Sequence, residues 1–267
     1  MDILGRLSDQ GYPTEKLSVI KDFVIIDCLA EKGYHLGQLL GEGAQSVVYS
    51  VLDSDNNEYA AKFIINIEDY HIEYEFCNEA WILKWLTDSN DQIVPKFYDS
   101  WQCNGYMIEY GQPRDSGKID SMKVGVIIME KMDGNLESIL KERSISVQTL
   151  VDWIKQIEQL SLKLTGKYRV IHYDLFPRNI FYRIIDDQMS FYIADFGIAW
   201  LYDENLQPIH NPHCVEQEPY EQFELDQHRY HLYHDILYLE HVINSQTDYR
   251  IVIDVPEVER EHYHCVI

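Results

Sequence analysis

His172-Tyr173-Asp174-Leu175-Phe176-Pro177-Arg178-Asn179 and, past an apolar hairpin, Asp195-Phe196-Gly197 are the segments on which the fold turns. Val170-Ile171 and Ile180-Phe181-Tyr182 bracket the first polar loop, and Phe191-Tyr192-Ile193-Ala194 leads into the second. Asp186-Asp187-Gln188 is read as the turn between those strands. Two carboxylates and a carboxamide therefore stand at the ends of short apolar strands, a rigid support for polar ligands. Groups of this kind orient an attacking hydroxyl and hold magnesium on a nucleotide phosphate.

Outward from this core, the flanks read as helical. Ser146 is placed to cap a helix whose apolar stripe is Val147, Leu150, Ile154, Ile157, Leu160 and Leu164. After Gly197 the chain is acidic and rich in histidine, and residues 230–243 read as another core helix. His210, His213 and Cys214 present three possible metal ligands, but no second cluster completes a tetrahedron.

Toward the N-terminus the pattern becomes strand-like. Leu36–Leu40 leads into Gly41-Glu42-Gly43-Ala44-Gln45-Ser46 and back along Val47–Val51, a strand, a glycine-rich turn and a returning strand. Glycines admit close approach of backbone N–H groups to phosphate, although most such turns merely need φ > 0. Asp53–Asn57 is a plain turn. In Glu58–Ile65 the lysine Lys62 sits among apolar residues, where an unpaired ammonium is costly and calls for an anionic partner. Residues 72–86 form an amphipathic pattern, and Glu79, flanked by buried-type residues, is the expected partner rather than Glu73 or Glu75. Residues 96–110 and 124–129 complete five strands, with a solvent loop over 111–123. Leu17, Ile20, Phe23, Val24 and Ile26 form a short helix or strand packed on the main body. Residues 1–33 are thus an extension, 34–131 a sheet-rich lobe and 132–267 a helical lobe.

Composition narrows the class. Hydrophobic residues at 46% and charged residues at 25% are ordinary for a globular chain, and no apolar run is long enough to span a bilayer. The start lacks a secretory pattern, so the expectation is an intracellular protein, cytoplasmic, with no membrane partner. A net charge of −23 argues against nucleic-acid binding and fits a basic protein substrate, or simply a solvated acidic surface. The five cysteines are odd in number and scattered, so reduced thiols are expected. Cys265 lies third from the end, one residue off a prenylation signal.

The order of these motifs resembles the protein-kinase-like superfamily over residues 34–243. The resemblance implies an α+β, two-lobed protein-kinase-like fold, with a five-stranded N-lobe sheet plus one helix and a reduced, mainly helical C-lobe. It also implies ATP and Mg2+ as cofactors and phosphotransfer to protein Ser/Thr hydroxyls. By this likeness Gly41, Gly43 and Ser46 cover the phosphates, and Val48 and Ala60 pack on adenine. Lys62, held by Glu79, binds the α- and β-phosphates; Met129 is the gate, and Glu130 and Met132 form the hinge. Asp174 is the catalytic aspartate, Asn179 and Asp195 are the metal ligands, and Asp235 braces the catalytic loop.

Four departures stand out. Tyr173 replaces the arginine before the catalytic aspartate, and Phe176 stands where Ser/Thr kinases carry a lysine. Arg178, at a position where tyrosine kinases place an arginine, is the candidate for the missing charge. No A-P-E triplet follows Gly197; Gln217-Glu218-Pro219 is a distant echo. This reduced form is similar to haspin-like and large-DNA-virus kinases, which for a viral chain would place it in the host cytoplasm. Small-molecule phosphotransferases of the aminoglycoside or choline type and a nucleotide-binding pseudokinase scaffold are the rival readings.

Overall fold

The computed structural model describes residues 17–20, 23–26, 28–65, 67, 69–107, 121–142, 145–214, 230–257 and 260. Gln217-Glu218-Pro219, Cys265 and most of the loop expected over 111–123 lie outside them. The chain divides into two compact units. The first comprises residues 1–76 and 97–131, and the second residues 77–96 and 132–267.

The first unit is built on one antiparallel sheet. Its strands are β1 (Leu17–Ile20), β2 (Phe23–Ile26), β3 (His35–Glu42), β4 (Ser46–Leu52), β5 (Glu58–Ile65), β6 (Phe97–Met107) and β7 (Ser121–Glu130). They run in the order β1-β2-β6-β7-β5-β4-β3. The five expected strands, β3 to β7, are all present. The β1–β2 hairpin from the N-terminal extension adds to the β6 edge.

Period-2 alternation gives this sheet two distinct faces. Val47, Ala61, Phe63, Val124, Val126 and Ile128 form a core with Ile20 and Leu29 on one face. The opposite face carries Lys62 and Gly125. A Cβ at Gly125 would come within 2.5 Å of the Phe76 ring, so glycine there lets that ring lie on the backbone of β7.

The second unit contains most of helix α1 (Tyr70–Asp88), together with α2 (Leu136–Glu142), α3 (Val147–Tyr168) and α4 (His234–Gln246). Six short strands pair in two sheets. These are β8 (Gly134–Asn135), β9 (Val170–Ile171), β10 (Ile180–Ile185), β11 (Gln188–Ile193), β12 (Trp200–Tyr202) and β13 (Pro208–Ile209). Ser146 caps α3 as expected, accepting the Thr149 N–H at 3.0 Å. The buried stripe of α3 differs in detail from the sequence reading. Val147 is 65% exposed, while Ser161 and Thr165 are buried in line with Leu150, Ile154, Ile157 and Leu164. A strict 3.6-residue period carries the stripe onto these small hydroxyl residues and away from Leu160. Asp91 fastens α3 to the chain after α1 through Lys163, Lys167 and Tyr168, which hold its carboxyl well below the usual range, Lys167 most of all.

The cysteines overturn the expectation of reduced thiols. Cys28 bonds to Cys103 in the first unit and Cys77 to Cys214 in the second. Separations of 75 and 137 residues leave no local spacing signal, because the fold alone brings these thiols together.

Candidate functional site

In the second unit, β9 ends at Ile171 and the chain turns through His172–Phe176 into a 3-10 turn, Pro177–Asn179, before β10. The turn is fastened from inside. Phe176 N–H donates to the Asp174 carbonyl at 2.8 Å, and Asn179 N–H to the Phe176 carbonyl at 2.9 Å. Asn179, almost fully buried, directs its Nδ2 to the Asp174 carbonyl at 2.9 Å and to Asp174 Oδ2 at 2.8 Å. Arg178 Nη2 donates to both carboxylate oxygens of Asp174 at 3.0 Å. Its guanidinium lies 4.0 Å from the centroid of the Phe176 ring.

Two buried side chains brace this loop. Asp235, at the start of α4, accepts His172 N–H at 2.7 Å and Tyr173 N–H at 3.0 Å. That contact matches the bracing expected of Asp235, and it holds Tyr173 at φ 60°, a left-handed conformation costly for a bulky residue. His172 Nδ1 accepts the Asp174 N–H at 3.2 Å, so the neutral ring donates from Nε2 to the Ala194 carbonyl at 3.0 Å. His172 thereby couples the Asp174 loop to the strand that leads into Asp195.

Tyr173, in place of an arginine, turns its hydroxyl to that of Tyr202. Burial pushes the Tyr173 hydroxyl up to about 12 and raises that of Tyr202 further, with Tyr173 adding to the latter. Position 173 thus carries a hydroxyl paired with Tyr202, both shifted toward the neutral form.

Asp195 follows β11 at φ 72°. The next residues are held by Asn78, fully buried on α1, whose Nδ2 donates to the carbonyls of Phe196 and Gly197 at 3.1 Å and of Ala199 at 2.9 Å. Asn211 Nδ2 donates back to Asn78 Oδ1 at 3.1 Å. The Cys77–Cys214 bond and the stacking of Trp81 on His213 at 4.7 Å reinforce the same region. Cys214 and His213 are therefore engaged structurally. The local pattern does not single out Asn78, because Glu79 beside it and Glu73 and Glu75 before it are polar as well.

In the first unit, register aligns the other expected residues. Val48 pairs with Lys62 and Lys62 with Ile127, while Ala60 pairs with Met129. Direct cross-strand partners share a face, so Val48, Ala60, Lys62 and Met129 all line the face opposite the main core. Lys62 is only 8% exposed there. Gly41 pairs with Val48, and Gly43 N–H donates to the Ser46 carbonyl at 2.7 Å in closing the turn. Neither glycine has positive φ, and a Cβ at Gly41 would meet nothing within 4 Å. The turn itself does not demand glycine at Gly41. Glu130 ends β7 opposite Tyr59; Met132 and the nearly fully buried Glu79 belong to the second unit.

As a metal site, the Asn179 and Asp195 donors are an amide oxygen and a carboxylate. Among the described residues no cluster of three or more His, Cys, Asp or Glu side chains is placed to hold a metal alone. Few protein oxygens, completed by phosphate oxygens, is the set that suits Mg2+.

Comparison with known proteins places the chain in a family. The family model described as "Protein kinase domain" matches residues 34–220. A cell cycle serine/threonine-protein kinase of Saccharomyces cerevisiae is 25% identical over 170 residues, covering 63% of this chain and 21% of its own length. The dual specificity protein kinase Ttk of Danio rerio is 27% identical over 173 residues, covering 63% of this chain and 15% of its own. The calcium/calmodulin-dependent protein kinase cmkB of Emericella nidulans is 24% identical over 173 residues, covering 64% and 38%. This chain therefore spans well under half the length of each.

Proposed function

Because the chain belongs to the protein kinase family, we propose that it transfers the γ-phosphoryl group of ATP to serine and threonine hydroxyls of proteins, as a compact, atypical member. The observation that carries this reading is the Asp174 carboxylate held between Asn179 and Arg178 on a loop braced from beneath by Asp235. Asp174 orients the acceptor hydroxyl and takes its proton. Arg178 offers positive charge beside that carboxylate, where an incoming phosphoryl group develops negative charge. Asn179 and Asp195 would hold Mg2+, which would neutralise charge on the phosphate oxygens. Lys62 takes the α- and β-phosphates, and Gly41, Gly43 and Ser46 offer backbone N–H groups to the phosphates. Val48, Ala60 and Met129 supply an apolar face for adenine, and Glu130 and Met132 backbone groups for its edge. A net charge of −23 favours basic protein acceptors by electrostatic steering.

The test is incubation with γ-labelled ATP and magnesium, with and without basic proteins, followed by phosphoamino-acid analysis. Label on serine or threonine, abolished by Lys62→Met, is expected. Label confined to a sugar or amino alcohol, or nucleotide binding with no transfer, overturns the proposal.

A further inference from the structure

Resting on that reading, we propose that Phe176 is a positioning residue: its ring, backed by Tyr238, holds the Arg178 guanidinium across the carboxylate of Asp174. An arginine–carboxylate pair four residues apart and half exposed, as Arg178 is at 49%, is ordinarily loose, because a long side chain keeps much of its rotamer freedom. Here that freedom is restricted. The guanidinium sits 4.0 Å from the Phe176 centroid, a stacked arrangement that favours the planar cation.

Phe176 is itself fixed at both ends. Its N–H and carbonyl are spent within the turn, on Asp174 and Asn179. Its ring meets Tyr238 of α4 edge-on, with centroids 5.1 Å apart at 87°. Tyr238 is in turn stacked on His234 at 6.4 Å, and His234 packs on Tyr173 at 4.6 Å. Beside this cluster lie the Asp174 carboxylate, the Arg178 guanidinium and the Asp235 carboxylate, the last in contact with His234 Nδ1. Burial raises the Tyr238 hydroxyl and the Asp174 carboxylate raises it further, while Arg178 opposes the rise. An aromatic residue at position 176 thus does indirectly what a cation there would do directly. It fixes positive charge against Asp174, with the charge borrowed from two residues later.

The experiment compares wild type, Phe176→Leu, Phe176→Trp, Arg178→Ala and the Phe176→Leu/Arg178→Ala double variant in steady-state phosphotransfer. Loss of the stacking should lower kcat about fivefold in Phe176→Leu with the KM for ATP unchanged, and Phe176→Trp should restore turnover. In the Arg178→Ala background, Phe176→Leu should cost nothing further. Equal losses in the Leu and Trp variants, a further loss in the double variant, or an effect on KM for ATP alone would overturn the assignment. A second readout is independent of activity. The Arg178 side-chain proton resonances should be shifted upfield by the ring in wild type, and should lose that shift in Phe176→Leu. Unshifted resonances in wild type refute the stacking, whereas shifted resonances in a protein that transfers no phosphate refute the phosphotransfer reading instead.

Discussion

The segments bearing Asp174 and Asp195 are both irregular backbone at the end of a short strand, yet they are held by opposite chemistry. The Asp174 loop points N–H groups inward, and a carboxylate, Asp235, collects two of them. The Asp195 segment points carbonyls inward, and a carboxamide, Asn78, donates to three of them. Each brace is a buried side chain on a helix, and each matches the unsatisfied backbone groups it faces. The difference shows that the bracing residue is chosen by the polarity of the exposed backbone. It also predicts unequal strength, since hydrogen bonds to a charged acceptor exceed those between neutral groups.

Asp235→Ala should have the largest effect. Two buried N–H groups lose a charged acceptor, so stability should fall by about 4 kcal/mol, read from the urea midpoint. A loss below about 1 kcal/mol would mean that the loop is not held by this residue. Asn78→Leu should cost less, about 2 kcal/mol, because the bonds removed are neutral and two N–H donors are shared among three carbonyls. If Asn78→Leu costs more than Asp235→Ala, the ordering by charge is wrong.

An effect confined to alkaline pH lies in the Tyr173–Tyr202 pair beside the Asp174 loop. Both hydroxyls are raised, Tyr173 to about 12, so above pH 10 the unfolded chain has lost protons that the folded chain still holds. Stability contributed by the neutral hydroxyls is therefore full below pH 10 and falls as pH rises toward 12, by at most about 1.4 kcal/mol per pH unit for each tyrosine. Tyr202→Phe should flatten that fall. An unchanged slope between pH 10 and 12 would place the alkaline sensitivity elsewhere.

Much of this architecture is written in local pattern. The β-branched runs of β4 and β5 and the apolar period of α3 specify their elements because each has one buried side. The polar loop could be read for the same reason: apolar strands on both sides leave Asp174 and Asn179 nowhere to go but the strand ends. What escaped depends on long-range pairing. Leu17–Ile26 is too short an apolar run to distinguish helix from strand, and only the free edge of β6 decides in favour of a hairpin. The Cys77–Cys214 partnership and the role of Asn78 exist only once α1 and the segment after Asp195 are folded together. Gly41 is an instructive case, since the local reading offered close approach to phosphate or φ > 0 as its reason, and the backbone does not use the second.

On the proposed reading, Asp174 acts on the acceptor hydroxyl and not on nucleotide binding. That role is tested most directly by single-turnover phosphoryl transfer in Asp174→Asn, with ATP affinity measured on the same sample. Loss of a general base should slow transfer by about 1,000-fold while ATP affinity stays unchanged. Transfer within about 10-fold of wild type, or a loss confined to ATP affinity, would contradict it.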